Sequence, residues 1–262
     1  MIGAIIGDIA GSRFEWTNHR SKDFDFFAPD CSFTDDTVMS LAVCDALVKY
    51  KNGDCDLEEG VICSMQRLGR LYPNCGYGGL FRQWLFSDHP QPYQSYGNGS
   101  AMRISGCAYV GESFEEVREL SRIVTQVSHN HPEGLKGAEA IAVAVFLART
   151  GKSAEEIREE ITAHYYPLEL TLDELRRESA FDASCQRTVP QAFAAFFESD
   201  SFEDAVRNAI SIGGDSDTLA AMTASIAEAF YGVPETIREA ALSFLDERLR
   251  KILLSFEERF PL

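Results

Sequence analysis

Ser32-Phe33-Thr34-Asp35-Asp36-Thr37 near one end of the chain and Gly213-Gly214-Asp215-Ser216-Asp217-Thr218 near the other each run straight into an apolar, Ala-rich helical stretch. Each packs two Asp and a Ser or Thr hydroxyl into a few residues, and carboxylates that close repel one another unless something neutralises them. Asp, Ser and Thr are also ordinary helix N-caps, and Asp in a first turn is favoured by the helix dipole. A cap uses one side-chain oxygen, whereas each of these segments offers three or four. The donor set is oxygen alone, without Cys or His, and suits a hard cation such as Mg²⁺ or Mn²⁺ rather than Zn²⁺. If the two segments meet, their four carboxylates can hold two such ions. A fold must then bring distant pieces of chain together, so one domain over residues 1–262 is expected.

Outward from these segments the pattern is nearly all helical. Thr37–Tyr50 places Val38, Leu41, Ala42 and Cys44 to Ala46 at helical spacing and stops at Asn52-Gly53. Ser113–Glu116 and Ser153–Glu156 read as capping boxes. Pro132-Glu133 opens a long apolar segment through Ala148, and Val189–Glu198 and Phe202–Ile210 predict two more helices. Thr218–Tyr231 ends at Gly232, with Pro234 at the first position of the next helix. Only Leu168–Leu172 alternates like a strand, too short a piece to build a sheet. The fold class expected is all-α, a compact orthogonal helical bundle in a single domain. In Ile2–Gly11, glycines at 3, 7 and 11 share one helix face, where a neighbour can approach closely. Only two residues precede Gly3, so there is no strand to start a dinucleotide-binding fingerprint. Asp8, on the next face, is available as an outer-shell acid.

A hydrophobic fraction of 45% fits a globular chain rather than a disordered one. The net charge of −17 argues against nucleic acid, whose binding needs Lys and Arg to neutralise phosphates, and against an anionic membrane surface. It leaves room for a small phosphorylated ligand, because metal ions and backbone N–H groups can supply a positive field locally. Met1–Ala10 lacks a basic leader and is interrupted by Asp8, unlike a signal peptide. Ala138–Leu147 is too short to span a bilayer. Seven Cys with no Cys-x-x-Cys pair suggest reduced thiols and a cytoplasmic protein.

Two Gly-rich loops stand between the acidic segments: Tyr77-Gly78-Gly79 and Ser95-Tyr96-Gly97-Asn98-Gly99-Ser100. Glycine there permits positive φ and close backbone approach, and consecutive N–H groups can form an anion nest. Ser100-Ala101-Met102-Arg103 reads as the start of a helix aimed at the same place. His129-Asn130-His131 has the look of a metal pair, but it is a poor match to an oxygen-liganded site. A hydrogen bond to ligand, or a structural role, suits it better.

In this order, over essentially the whole chain, these pieces resemble the ADP-ribosylglycohydrolase family. Gly7-Asp8 to Glu15 looks like the family's N-terminal helix and following Glu, and Phe33–Thr37 like its first metal motif. Gly76-Tyr77-Gly78, Ser95–Arg103, Ser128-His129 and Gly214–Thr218 look like its later motifs. The resemblance implies two Mg²⁺ ions (or Mn²⁺) at the base of a cleft, with Thr34, Asp35, Asp36, Asp215, Asp217 and Thr218 as ligands. Glu15 would sit on a mobile segment that closes over them. ADP-ribose, or an ADP-ribosylated substrate, would lie along the cleft with its distal ribose hydroxyls at the metals. Its diphosphate would rest on the Ser95–Gly99 amides and Tyr96 would face the adenine; Gly78, Met102 and His129 complete the substrate-binding set.

Cleavage at the distal ribose develops oxocarbenium character that carboxylates can stabilise. Glu15, Asp36 and Asp215 are the expected catalytic groups, the proton being moved by Glu15 or by a metal-bound Asp. Members that cleave arginine-linked ADP-ribose often place an acid near the middle Gly-rich loop, and Pro73–Gly78 has none. The Ser-Tyr-Gly-Asn-Gly run is closer to members acting on serine-linked or other O-linked ADP-ribose, so an O-linked substrate is expected, cleaved by a monomer. Two other readings use the same acids: a two-metal phosphoesterase that cuts the pyrophosphate, and a non-catalytic module that binds ADP-ribose.

Overall fold

Helix α1 (Ile2–Gly11) is buried at every residue, and α12 (Ser216–Tyr231) is buried from Ser216 to Glu228. A helix apolar on all sides belongs in the middle of a protein. In the computed structural model, which describes residues 1–178 and 180–261, these two helices pack on each other at the centre of the molecule. The glycine face of α1 makes this contact possible. A Cβ at Gly3 would lie 2.4 Å from the Ala224 carbonyl oxygen, one at Gly7 2.2 Å from that of Ala220, and one at Gly11 2.5 Å from Asp217 Cα. Side chains of any size would push the two backbones apart.

The remaining helices wrap this pair. They are α2 (Asp35–Asn52), α3 (Leu57–Leu71), α4 (Gly79–Phe86), α5 (Ser105–Val110), α6 (Phe114–Gln126) and α7 (Pro132–Arg149). After them come α8 (Ala154–His164), α9 (Leu172–Glu178), α10 (Cys185–Phe197), α11 (Phe202–Ile210), α13 (Glu235–Phe244) and α14 (Glu247–Arg259). Helices α7, α10 and α11 enclose α12, while α2 packs on α1, α3 and α14. The fold is all-helical, and the described residues contain no strand, only an isolated antiparallel bridge between Gly97 and Ser184. No helix among them is long and apolar enough to cross a membrane. The seven cysteines are free thiols.

Several boundaries differ from the sequence reading. Leu168–Leu172 forms no strand: its end opens α9, where Thr171 and Glu174 cap each other through Glu174 N to Thr171 Oγ1 and Thr171 N to Glu174 Oε2. Helix α10 begins at Cys185, four residues ahead of Val189, and carries Pro190 in its interior. Pro234 is the N-cap of α13 rather than its first residue. Ser113 caps the N–H of Glu116, but the Glu116 carboxylate turns to Glu112 N and Lys51, so of the two expected capping boxes Ser153–Glu156 alone closes fully. Ser100–Arg103 does not start a helix; Asn98–Ser100 is a 3₁₀ turn, and α5 begins at Ser105.

Candidate active site

The two acidic segments, far apart in sequence, meet at the N-termini of α2 and α12. Thr34 caps α2, its Oγ1 accepting from Asp36 N at 3.3 Å, so Asp35 and Asp36 occupy the first turn. Asp215 is the N-cap residue of α12, preceded by Gly213 and Gly214, both at φ +74°. A side chain at either glycine would be strained, and one at Gly213 would also meet Asn18 Oδ1 at 2.5 Å. Thr218 Oγ1 donates to Asp36 Oδ2 at 3.2 Å, directly joining the two segments.

Asp8 holds the first of them in place. Its Oδ2 accepts from Thr34 N at 2.9 Å and Thr37 N at 3.0 Å, and its Oδ1 from Thr34 Oγ1 at 2.7 Å. The Thr37 hydroxyl also donates to it. A carboxylate on α1 thus caps the first turn of α2 across the core. This role was hidden in the sequence, which offered only an acid beside a glycine face.

Carboxylate oxygens of Asp8, Asp36 and Asp217 come within 4.8 Å of one another, and so do those of Glu15, Asp215 and Asp217. Burial, and then repulsion from the neighbouring acids, lifts Asp36 and Asp217 well above the usual carboxylate range and Asp35 to about 8. Glu15, on the turn after Ser12–Phe14, is raised to about 7 by burial and by Asp215 and Asp8. Asp36 Oδ1 is buried without any hydrogen-bond partner. Orphaned, mutually repelling carboxylate oxygens with no Cys or His among them form a set that a hard cation would satisfy. This acidic cluster can bind metal.

The cluster forms one end of a cavity of about 460 Å³, a size usual for small-molecule sites. Glu15, Asp35, Asp36, Asp215, Asp217 and Thr218 line that end. Gly76 and Gly78 form its wall at the start of α4; Gly76, at φ +96°, places its backbone so close that a Cβ would lie 3.1 Å from Asp35 Oδ1. Trp16 and Phe181 stand at the same mouth with rings stacked at 5.3 Å, Trp16 being 78% exposed. Stacked aromatics from residues 165 positions apart leave no signal in a single sequence.

The opposite end is built from Ser95, Gly97, Gly99, Met102 and His129, with Phe81 and Tyr93 as its aromatic walls. Asn98 spans the two ends, its Nδ2 donating to Asp215 Oδ2 at 2.7 Å. Gly78 and Gly97 have negative φ, so left-handed geometry is not their contribution. Two amides of the expected nest are already engaged: Gly97 N–H bonds Ser95 Oγ at 3.2 Å and Asn98 N–H bonds Ala183 O at 2.8 Å. Thr34, spent on capping, and Tyr96 do not line the cavity; the Tyr96 ring packs against His131 at 5.2 Å. Arg103, 1% exposed and over the Phe81 ring at 5.2 Å, is a buried cation that the sequence reading overlooked.

The family model described as ADP-ribosylglycohydrolase matches residues 1–260. ADP-ribosylhydrolase ARH3 of Mus musculus is 25% identical, over 93% of this chain and 86% of its own length. ADP-ribosylarginine hydrolase Tri1 of Pseudomonas putida (strain GB-1) is 23% identical, over 100% of this chain and 77% of its own. A solved structure, the ADP-ribosylglycohydrolase-related protein complex, shares the fold with a TM-score of 0.74 at 22% identity, covering 100% of this chain and 96% of that one. A match along almost the entire length, carried by a fold that joins both acidic segments, places this chain in the ADP-ribosylglycohydrolase family.

Proposed function

We propose that this protein is a Mg²⁺-dependent hydrolase that cleaves the glycosidic bond between ADP-ribose and its acceptor, with O-linked acceptors such as serine preferred over arginine. One observation carries the reading: five carboxylates crowd one end of a cavity whose other end presents glycine backbone, a histidine and a buried arginine. That polarity suits a ligand with a ribose diol at one end and a diphosphate farther along. Asp35, Asp36, Asp215, Asp217 and Thr218 would hold the metal, with Thr34 and Asp8 positioning the first turn of α2 behind them. Bound there, the metal would supply a positive centre for the ribose hydroxyls and for a water.

The chain's own groups have distinct tasks. Glu15 reaches the Asp215–Asp217 pair from a turn on the cavity wall and is the group placed to hold or pass a proton at the scissile bond. Asp36 and Asp215 present negative charge where oxocarbenium character develops. The stacked Trp16 and Phe181 narrow access of bulk water at that end. Support for the O-linked preference comes from the glycine wall: Gly76 and Gly78 line the cavity, and Pro73–Gly78 offers no carboxylate to pair with a guanidinium leaving group.

The test is product analysis on peptides carrying serine-linked or arginine-linked ADP-ribose, with Mg²⁺ and with EDTA. Free ADP-ribose, released faster from serine and only with metal, is expected. AMP as product would transfer the site to a pyrophosphate-cutting phosphoesterase. Saturable ADP-ribose binding without any product would make it a binding module.

A further inference from the structure

We infer that Arg103 and Ser128 are positioning residues that lock the neutral ring of His129 in its Nε2–H tautomer, so that it donates a hydrogen bond into the cavity, toward a diphosphate. The direction of that bond rests on the function proposed above; the tautomer rests on the hydrogen-bond pattern alone. A guanidinium has five N–H donors and no acceptor. Arg103 Nη2 donates to Ser128 Oγ at 2.8 Å and lies 3.5 Å from His129 Nδ1. Ser128 Oγ lies 2.8 Å from the same Nδ1. The serine oxygen keeps a second lone pair, so the choice falls to Arg103: a guanidinium can only donate, and its N–H beside the ring disfavours a proton on Nδ1 and leaves that nitrogen to accept the serine's proton.

Two donors therefore converge on Nδ1, which has to be the unprotonated nitrogen. The remaining proton sits on Nε2, since which ring nitrogen is protonated follows from the bond the other one makes. That nitrogen faces the loop, for a Cβ at Gly97 would lie 3.7 Å from it and one at Gly99 3.6 Å. Rings of Phe81 and Tyr93, with centroids 6.1 and 5.7 Å from that of His129, flank the imidazole. Burial and the Arg103 charge hold its pKa well below the ordinary histidine value, so the ring stays neutral. His131 makes a contrast on the outside of the loop: its Nδ1 accepts from Glu133 N at 3.1 Å, merely capping α7.

The experiment is a long-range ¹H–¹⁵N spectrum of ligand-free protein labelled at histidine, with the His129 signals assigned by their loss in His129→Asn. A pyridine-type Nδ1 and a pyrrole-type Nε2 are expected; the reverse pattern overturns the lock. Arg103→Met removes every donor at that position, frees the serine to accept, and should give a tautomer mixture. It should also weaken ADP-ribose binding by roughly tenfold or more, the worth of a hydrogen bond to a charged group. Arg103→Lys keeps one charged donor and should restore the single tautomer. An unchanged spectrum in Arg103→Met, or in Arg103→Gln should the first variant not fold, overturns the role of Arg103, and an unchanged spectrum in Ser128→Ala overturns that of Ser128. Adding ADP-ribose should shift the Nε2–H resonance, and binding that leaves it unmoved overturns the donor role. Failure of ADP-ribose to bind at all would count against the proposed function, while the ligand-free spectrum still decides the tautomer.

Discussion

The two ends of the cavity solve opposite electrostatic problems with opposite materials. At the acidic end, five carboxylates are packed with too little to neutralise them, and their scaffold is the regular backbone of α2 and α12. At the other end, in the proposed function, an acidic protein of net charge −17 has to receive an anion, and its scaffold is irregular: a loop, a 3₁₀ turn and the residues before α7. There one buried guanidinium and one neutral ring stand in for bulk positive charge. Unsatisfied charge marks the first end as a place for a cation. Directed donors make the second, in the proposed function, the place for phosphate oxygens, which net charge alone would have hidden.

The sharpest way to break this contrast is at the acidic end. Asp217→Ala removes a group shared by both carboxylate clusters. Turnover should fall by more than the roughly hundredfold that loss of an outer-shell partner brings, while thermal unfolding shows a folded protein, since a repelling charge has gone. Next in size is Glu15→Gln, expected to lower turnover about a hundredfold and to leave ADP-ribose affinity by calorimetry as it was. That split identifies a group acting in the transition state.

Chelation sharpens the contrast through pH. With Asp35 raised to about 8 and Glu15 to about 7, the metal-free folded state keeps protons that the unfolded chain has released. Stability in EDTA should therefore fall as pH rises from about 5 to about 8, and added Mg²⁺ should flatten the profile of unfolding midpoints. Smaller effects belong to the phosphate end. Gly97→Val, at φ −64° with its Cβ 3.3 Å from Ser95 Oγ, should weaken ADP-ribose binding only severalfold, about the 1 kcal/mol of a mild overpacking. Tyr96→Ala, outside the cavity, should leave that affinity unchanged; a large loss would place the adenine on the Tyr96 side of the loop.

What was legible in the sequence was local or periodic. The acidic segments announced themselves by excess oxygen donors, α1 by its four-residue glycine spacing, and Gly53 ended α2 in the left-handed conformation expected of a C-cap. Glu15 drew notice only through the family resemblance, and the structure brings it to Asp215 and Asp217. What was not legible depends on partners far apart in the chain. Asp8 caps a helix 26 residues away, Arg103 finds Ser128 25 residues away, and Trp16 meets Phe181. Tyr96 shows the same limit: an aromatic inside a Gly-rich loop has no direction until the fold supplies its neighbour, here His131. The start of α10 lies four residues ahead of Val189 for another reason: a helix held by burial of Val189, Ala192 and Phe193 tolerates the one N–H that Pro190 lacks.

A stripe that repeats every four residues matches itself after a shift of four. Sliding α1 along α12 by one such step, about 6 Å at 1.5 Å per residue, would set Gly7 where Gly11 had been and Gly3 where Gly7 had been. The glycine stripe by itself is therefore degenerate: it dictates how near the two helices lie, not which turn meets which. The ambiguity is resolved by polar contacts: Gly3 N–H donates to Glu228 Oε2 of α12 at 2.7 Å, and Asp8 ties α1 to α2 by the four hydrogen bonds it accepts from Thr34 and Thr37. Those bonds exist in a single alignment, and in that alignment Asp8, Asp36 and Asp217 face one another.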